Sequence, residues 1–305
     1  MNWLFIALLN PVFHAFNNHI DKYILNRYMK GGSVGAIILF MALFSIVALP
    51  VIYALHPTIF NNINWLNTII LIANGCLLVL AILFYFYALN DDEASFVAPF
   101  FQLIPVIGFI LSYLILGEVL QGKQIWAAAI IVAGSFILSL DLSKRKTKFR
   151  QRMILLMLAS SFFYAINAVI FKAVAIHQGF LDSLFWDMSG KFLFGVVLFL
   201  SIKPYREQFL HVIKVNKFFV IELSMFNELI SLIAEAALVL AVLFAPVALV
   251  QSVAGLQSVF LLIIGIFLTI FLPKLAKESL TPKVLWQKII SIVIITIGVI
   301  LISVA

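Results

Sequence analysis

Residues 85–135 read YFYALNDDEASFVAPFFQLIPVIGFILSYLILGEVLQGKQIWAAAIIVAGS. Two apolar runs, 95–116 and 124–141, flank a short turn around Gly117, Gly122 and Lys123. At 1.5 Å per residue the first covers about 30 Å of hydrocarbon as a helix, and the second is the shortest run that does so. Neither alternates polar and apolar residues as a membrane strand would. The same reading carries outward in both directions. It predicts helices at 3–24, 33–55, 66–88, 95–116 and 124–141, and a second set at 152–175, 181–202, 217–241, 246–271 and 284–304. The expected fold class is all-α integral membrane, with ten transmembrane helices.

Composition agrees with that class. Of 305 residues, 64% are hydrophobic and 11% charged, against roughly 45–50% and 25% in soluble domains. A soluble core cannot absorb so much apolar surface. Ten spans of about 20 residues leave no room for a soluble catalytic domain. Cys76 is alone, which excludes an internal disulfide and a cysteine metal cluster. The first span lacks a basic leader and carries Asn10, Pro11, His14, Asn17 and Asn18, so it is expected to remain as a structural helix.

Basic residues sort by side. Odd-numbered loops hold Arg27, Lys30, Lys144, Arg145, Lys146, Lys148, Arg150, Arg152, Lys203, Arg206, Lys214, Lys217, Lys274, Lys277, Lys283 and Lys288, whereas even loops hold Lys123. The positive-inside rule therefore puts the odd loops in the cytoplasm and both termini outside, in a cell (inner or cytoplasmic) membrane. The net charge of +7 reads as this orientation signal, and no nucleic-acid partner is expected.

The chain also matches itself. An offset of 150 places Asn17 on Asn167 and Lys22 on Lys172, and an offset of 153 places Asn74 on Asn227 and Leu103 on Leu256. Polar residues inside spans are sparse, so these matches outweigh coincidences among apolar letters. The expected organisation is a five-helix repeat at 1–141, a basic connection at 142–152, and a second repeat at 153–305. Five is odd, so the second copy is inverted, the recurrent build of secondary transporters around a midplane cavity.

The stretch 85–135 resembles the EamA repeat of the drug/metabolite transporter superfamily. The resemblance rests on Ala88-Leu89, Ala94-Ser95, Val97-Ala98-Pro99, Leu103, Pro105-Val106, Leu116-Gly117-Glu118 and Gly134. A more divergent second copy runs from Ala241 to Gly298, with Ala245-Pro246-Val247-Ala248 at the head of its fourth span. The resemblance implies two inverted five-helix units and transport of a small molecule, and leaves the substrate open. Many members look N-terminus-in, the reverse of the charge reading.

Ionisable groups at membrane depth are costly and face a cavity or a partner. Lys191 and Glu228 fall near mid-span at one depth, and Glu235 lies two turns beyond Glu228 on the same stripe. They are read either as a cavity lining that binds a proton or cation, or as a structural bridge between helices. Asp187, four residues before Lys191, competes as its partner. Trp186 and Tyr164 are candidates to stack on a flat or cationic substrate. His14, Asn17 and Asn167 are candidates on the repeat-related first and sixth spans, with interhelical hydrogen bonding as the alternative for the asparagines. Gln102, between Pro99 and Pro105, and Gln257 are further cavity candidates, while Lys22 and Lys172 at span ends read as gates or anchors.

The reading is a secondary active transporter of a small polar or amphiphilic metabolite, an amino acid or related compound. It works by alternating access, proton-coupled or by exchange, as a monomer or homodimer in the bilayer. No cofactor, metal or catalytic residue is expected. The rivals are an intramembrane enzyme and a non-transporting structural subunit. An enzyme would need a nucleophile elbow, a zinc-binding H-E-x-x-H or paired aspartates, and none of these occurs.

Overall fold

The computed structural model describes residues 3–28, 34–61, 63–91, 98–139, 151–271 and 282–304. Among them every regular element is helical. The first helices are α1 (Trp3–Tyr28), α2 (Val34–Phe44), α3 (Ala48–Leu55) and α4 (Trp65–Asp91). A 3-10 turn, Ser45–Val47, joins α2 to α3, and another, Ala98–Leu103, precedes α5 (Ile104–Leu116) and α6 (Gly122–Ser139). Then come α7 (Gln151–Gln178), α8 (Phe180–Ser201), α9 (Lys203–Ala241), α10 (Val247–Ala254), α11 (Gln257–Phe271) and α12 (Pro282–Val304).

Among the described residues six segments are long and apolar enough to cross a membrane: Val34–Leu55, Trp65–Asn90, Gln151–Gln178, Phe180–Ser201, Ile221–Ala241 and Val247–Leu268. Large apolar side chains such as Leu66, Trp126, Leu155 and Leu200 point outward from the helices, the expected surface of a chain solvated by lipid. The protein is therefore a multi-pass membrane protein.

Three departures from the expected spans have local causes. The helix expected at 95–116 starts its α-helical part at Ile104, with Pro105 in the first turn, where a missing N–H costs nothing. The span expected at 246–271 breaks at Gly255–Leu256 into α10 and α11. The segment 203–216, expected as a loop, is helical and continuous with 217–241. Pro204 sits in its first turn, and Tyr205, Phe209 and Val212 form a buried stripe at helical spacing while Lys203 and Glu207 remain exposed and paired at 3.7 Å. In the basic connection expected at 142–152, Gln151 and Arg152 are already the first turn of α7. Residues 142–150 lie outside the described residues, as do Lys30, Asp92, Glu93, Ala94, Ser95, Val97, Lys274 and Lys277 and the side chains of Lys22, Pro99, Lys217, Ser258, Lys283 and Lys288.

Helix α8 is pressed against α4, and two glycines set the distance. A Cβ on Gly190 would stand 2.0 Å from the Ile72 carbonyl oxygen, and one on Gly75 would stand 2.0 Å from that of Asp187. Small residues permit this close backbone approach between membrane helices. On its other flank α4 packs on α7, while α9 packs on α1 and α2 and α6 packs on α12. Gly190→Leu is expected to lower stability by about 1–3 kcal/mol through overpacking. The measurement is the thermal unfolding midpoint in detergent, with Gly122→Ala, where a Cβ meets open space, as the unchanged control.

Candidate functional site

Among the described residues Lys191 is the most deeply buried charged side chain, at 1% exposure. An ammonium removed from water must be matched by acceptors. Helix α9 supplies them from two positions on one stripe: Lys191 Nζ donates to Glu228 Oε1 at 2.8 Å and to Glu235 Oε1 and Oε2 at 3.2 and 3.3 Å. The two carboxylates are not equivalent. Glu228 is shorter-bonded and more deeply enclosed, while Glu235 shares the same proton donors more loosely and its side chain is 14% exposed.

Asp187 turns away from its helical neighbour Lys191. It is 2% exposed and accepts from Asn74 Nδ2 at 2.7 Å. Asn74 also donates to the Asn167 carbonyl at 3.2 Å, and Asn167 returns a bond to the Asn74 carbonyl at 3.1 Å. Asn17 makes the matching contact on α9. With its amide nitrogen turned toward that helix, it donates to Asn227 Oδ1 at 3.1 Å and its oxygen accepts from the Ser231 N–H at 3.1 Å. Both asparagines thus bond between helices.

Two more candidates border the charged cluster. His14 of α1 is half-buried and lies within electrostatic reach of Glu235 and Lys191. Tyr164 of α7 is half-buried, lies within reach of Glu235, and meets Phe101 edge-on at 5.9 Å. Trp186, although next to Asp187 in sequence, packs edge-on against Phe60 and Phe185 at 6.0 and 5.2 Å. Gln102 faces a separate cleft between α5 and α6, and Gln257 is half-buried at the start of α11. The structure therefore brings Lys191, Glu228, Glu235, His14 and Tyr164 into one neighbourhood and leaves Trp186, Gln102 and Gln257 outside it.

The sequence reading missed two arrangements. One is the Asn74 bond to Asp187. The other is an ion pair between Glu118 Oε1 and Lys172 Nζ at 2.5 Å. Gly117 ends α5 in the left-handed region at φ 67°, which turns Glu118 back so that its Oε2 also accepts from the Val247 N–H at 2.9 Å. Lys172 in turn donates to the Ala245 carbonyl at 2.7 Å. The left-handed Gly after an apolar run was the available signal for the turn, but nothing in the spacing named Lys172 as the partner. Among the described residues no group of three or more His, Cys, Asp or Glu side chains is arranged to hold a metal ion.

Lys191→Met is expected to cost about 3–5 kcal/mol, because it strands buried carboxylates without their cation. Adding Glu228→Gln to it should restore part of the loss. Chemical or thermal unfolding of the two variants in detergent checks both signs, and equal instability would mean that the pair is not coupled.

Comparison with known proteins gives a partial likeness. No curated protein matches the chain. Among solved structures 28 chains match. One of them, a crystal structure, is 17% identical and superposes with a TM-score of 0.57, covering 98% of this chain and 94% of its own; at that identity the likeness concerns the fold alone. The model of the EamA-like transporter family matches residues 1–140. The match makes the first part of the chain similar to an EamA-like transporter.

Proposed function

We propose that the protein is a secondary active transporter of a small polar or amphiphilic metabolite, with the Lys191–Glu228–Glu235 cluster as its substrate and coupling site. One observation carries the reading: the buried Lys191 ammonium faces two glutamates, and a third carboxyl, Asp187, is buried one turn away. Charge at membrane depth is costly, and Glu235, which shares the Lys191 ammonium at 3.2 Å, is where a proton or a cationic group of the solute enters. Glu228 holds Lys191, and Glu235, the looser and more exposed carboxylate, exchanges its partner. His14 and Tyr164 form the neighbouring walls, with Asn17 and Asn167 holding the helices that carry them.

Ten spans in two inverted repeats, 1–141 and 153–305, supply the alternating access. The asparagine contacts support this arrangement. Offsets of 150 and 153 convert the Asn17–Asn227 contact into the Asn167–Asn74 contact. Helix pairs follow the same exchange: α1 packs on α9 as α7 packs on α4, and α9 packs on α2 as α4 packs on α8. The basic loops face the cytoplasm of a cell membrane, and the Glu118–Lys172 pair then closes the outer face. Pairing of Gly117-Glu118 with the α9–α10 connection ties that face together.

Uptake into proteoliposomes of a panel of amino acids, amines and nucleotide sugars, with and without a proton gradient, tests the reading. One class should accumulate, with a rate that depends on the gradient, and Glu235→Gln should abolish the dependence while retaining the fold. Failure of every solute in both directions would overturn the transporter reading. If Glu228→Gln and Glu235→Gln both lower stability and leave transport and its pH dependence intact, the cluster is a helix bridge and the site lies elsewhere.

A further inference from the structure

Helices α5 and α6 are consecutive in the chain yet stand apart. Helix α6 packs on α12, on the 98–103 turn and on α10. The gap is a cleft of about 850 Å³. Its floor is Ala248 and Ser252 of α10, both buried, and its rim includes Val106, Ile125 and Phe136, all exposed on the outer surface. The cleft therefore opens sideways, toward the bilayer. Its lining on α6 runs from Ile125 to Ile137, a rise of about 18 Å, close to the roughly 15 Å of one leaflet's hydrocarbon.

The lining has two polar side chains. Ser252 Oγ is satisfied, donating to the Ala248 carbonyl at 2.7 Å. Gln102 is 6% exposed and makes no hydrogen bond with any described residue. It is one of the lining residues of the cleft, so a side-chain amide borders an otherwise apolar channel. Water does not suit the rest of this channel, whose walls offer no partners. A buried amide, however, requires one.

We propose that the cleft binds a glycerolipid from the leaflet nearest Gln102: one acyl chain lies along α5 and α6, and an ester carbonyl accepts a hydrogen bond from the Gln102 amide. The lipid completes the wall between two helices that do not pack on each other. The inference needs the chain to lie in a membrane and does not depend on the transport reading, because no residue of the Lys191 cluster lines the cleft.

The test is photo-crosslinking of the full-length protein in nanodiscs containing phosphatidylethanolamine with a diazirine at mid-chain, followed by peptide mapping. Label should concentrate on residues 102–137 and 248–252. Ala133→Trp, which fills the cleft, should reduce it there by about tenfold, whereas Val197→Trp on the outer face of α8 should not. Gln102→Leu should shift the attachment sites along α6 while Gln102→Asn keeps them. Label spread evenly over all outward-facing helices, or indifferent to Ala133→Trp, overturns the proposal. So does absence of lipid label from the cleft combined with protein–protein crosslinks there under a separate bifunctional reagent, which would make a second copy the occupant, or displacement of the label by a transported solute.

Discussion

A lysine ammonium enclosed among helices in a membrane protein constrains everything around it. Lys191 cannot be left without acceptors, and its own helix offers Asp187 at the spacing of an intrahelical pair. The fold declines that local solution. Asn74 takes Asp187, and α9 brings Glu228 and Glu235 to the lysine. For this to happen α8 must lie between α4 and α9, and the backbone contact through Gly75 and Gly190 sets its distance from α4. The helix-helix geometry and the charge pairing are therefore one arrangement: widening the glycine contact would carry Lys191 away from its carboxylates.

Two pairs of asparagines correspond under the internal offsets, and the charges around Lys191 do not. The asparagines correspond under the internal offsets and make corresponding bonds. The carboxylates around Lys191 have no such counterparts: an offset of 153 sets Glu228 against Gly75 and Glu235 against Ile82. At one position the second half carries a carboxylate, and the first half carries the missing side chain that admits α8. The asparagine contacts tie helices together in both parts of the chain, and the buried carboxylates occur around Lys191.

Much of the frame was legible because membrane solvation leaves few solutions for a chain. Long apolar runs must be helical, since no water is present to satisfy an exposed backbone. The depth match of Lys191 and Glu228 was readable for the same reason, as both fall mid-span. What could not be read were partners decided by rotation about helix axes. Trp186 and Asp187 are adjacent in sequence, yet one packs with Phe60 and the other bonds Asn74. Gln102 was expected to face a central cavity and instead faces the gap between α5 and α6. Hydropathy also hid the first turns of α9, because the amphipathic stripe of Tyr205, Phe209 and Val212 is too sparse to register as a span.

Helix α9 has 39 residues without interruption, about 58 Å at 1.5 Å per residue, nearly twice the hydrocarbon thickness. Its far end is seated on α2 and α4: the Gly35 N–H donates to Gln208 Oε1 at 3.1 Å, the Tyr205 and Tyr87 hydroxyls share a hydrogen bond, and Phe209 packs on Phe40. Tyr205 lies about 35 Å from Glu228 along this rod. A tilt of about 5° pivoting at Glu228 swings Tyr205 through roughly 3 Å, more than the slack of a hydrogen bond. The helix has in this sense the geometry of a lever: a small tilt at the buried charges is magnified at its seat on α2 and α4.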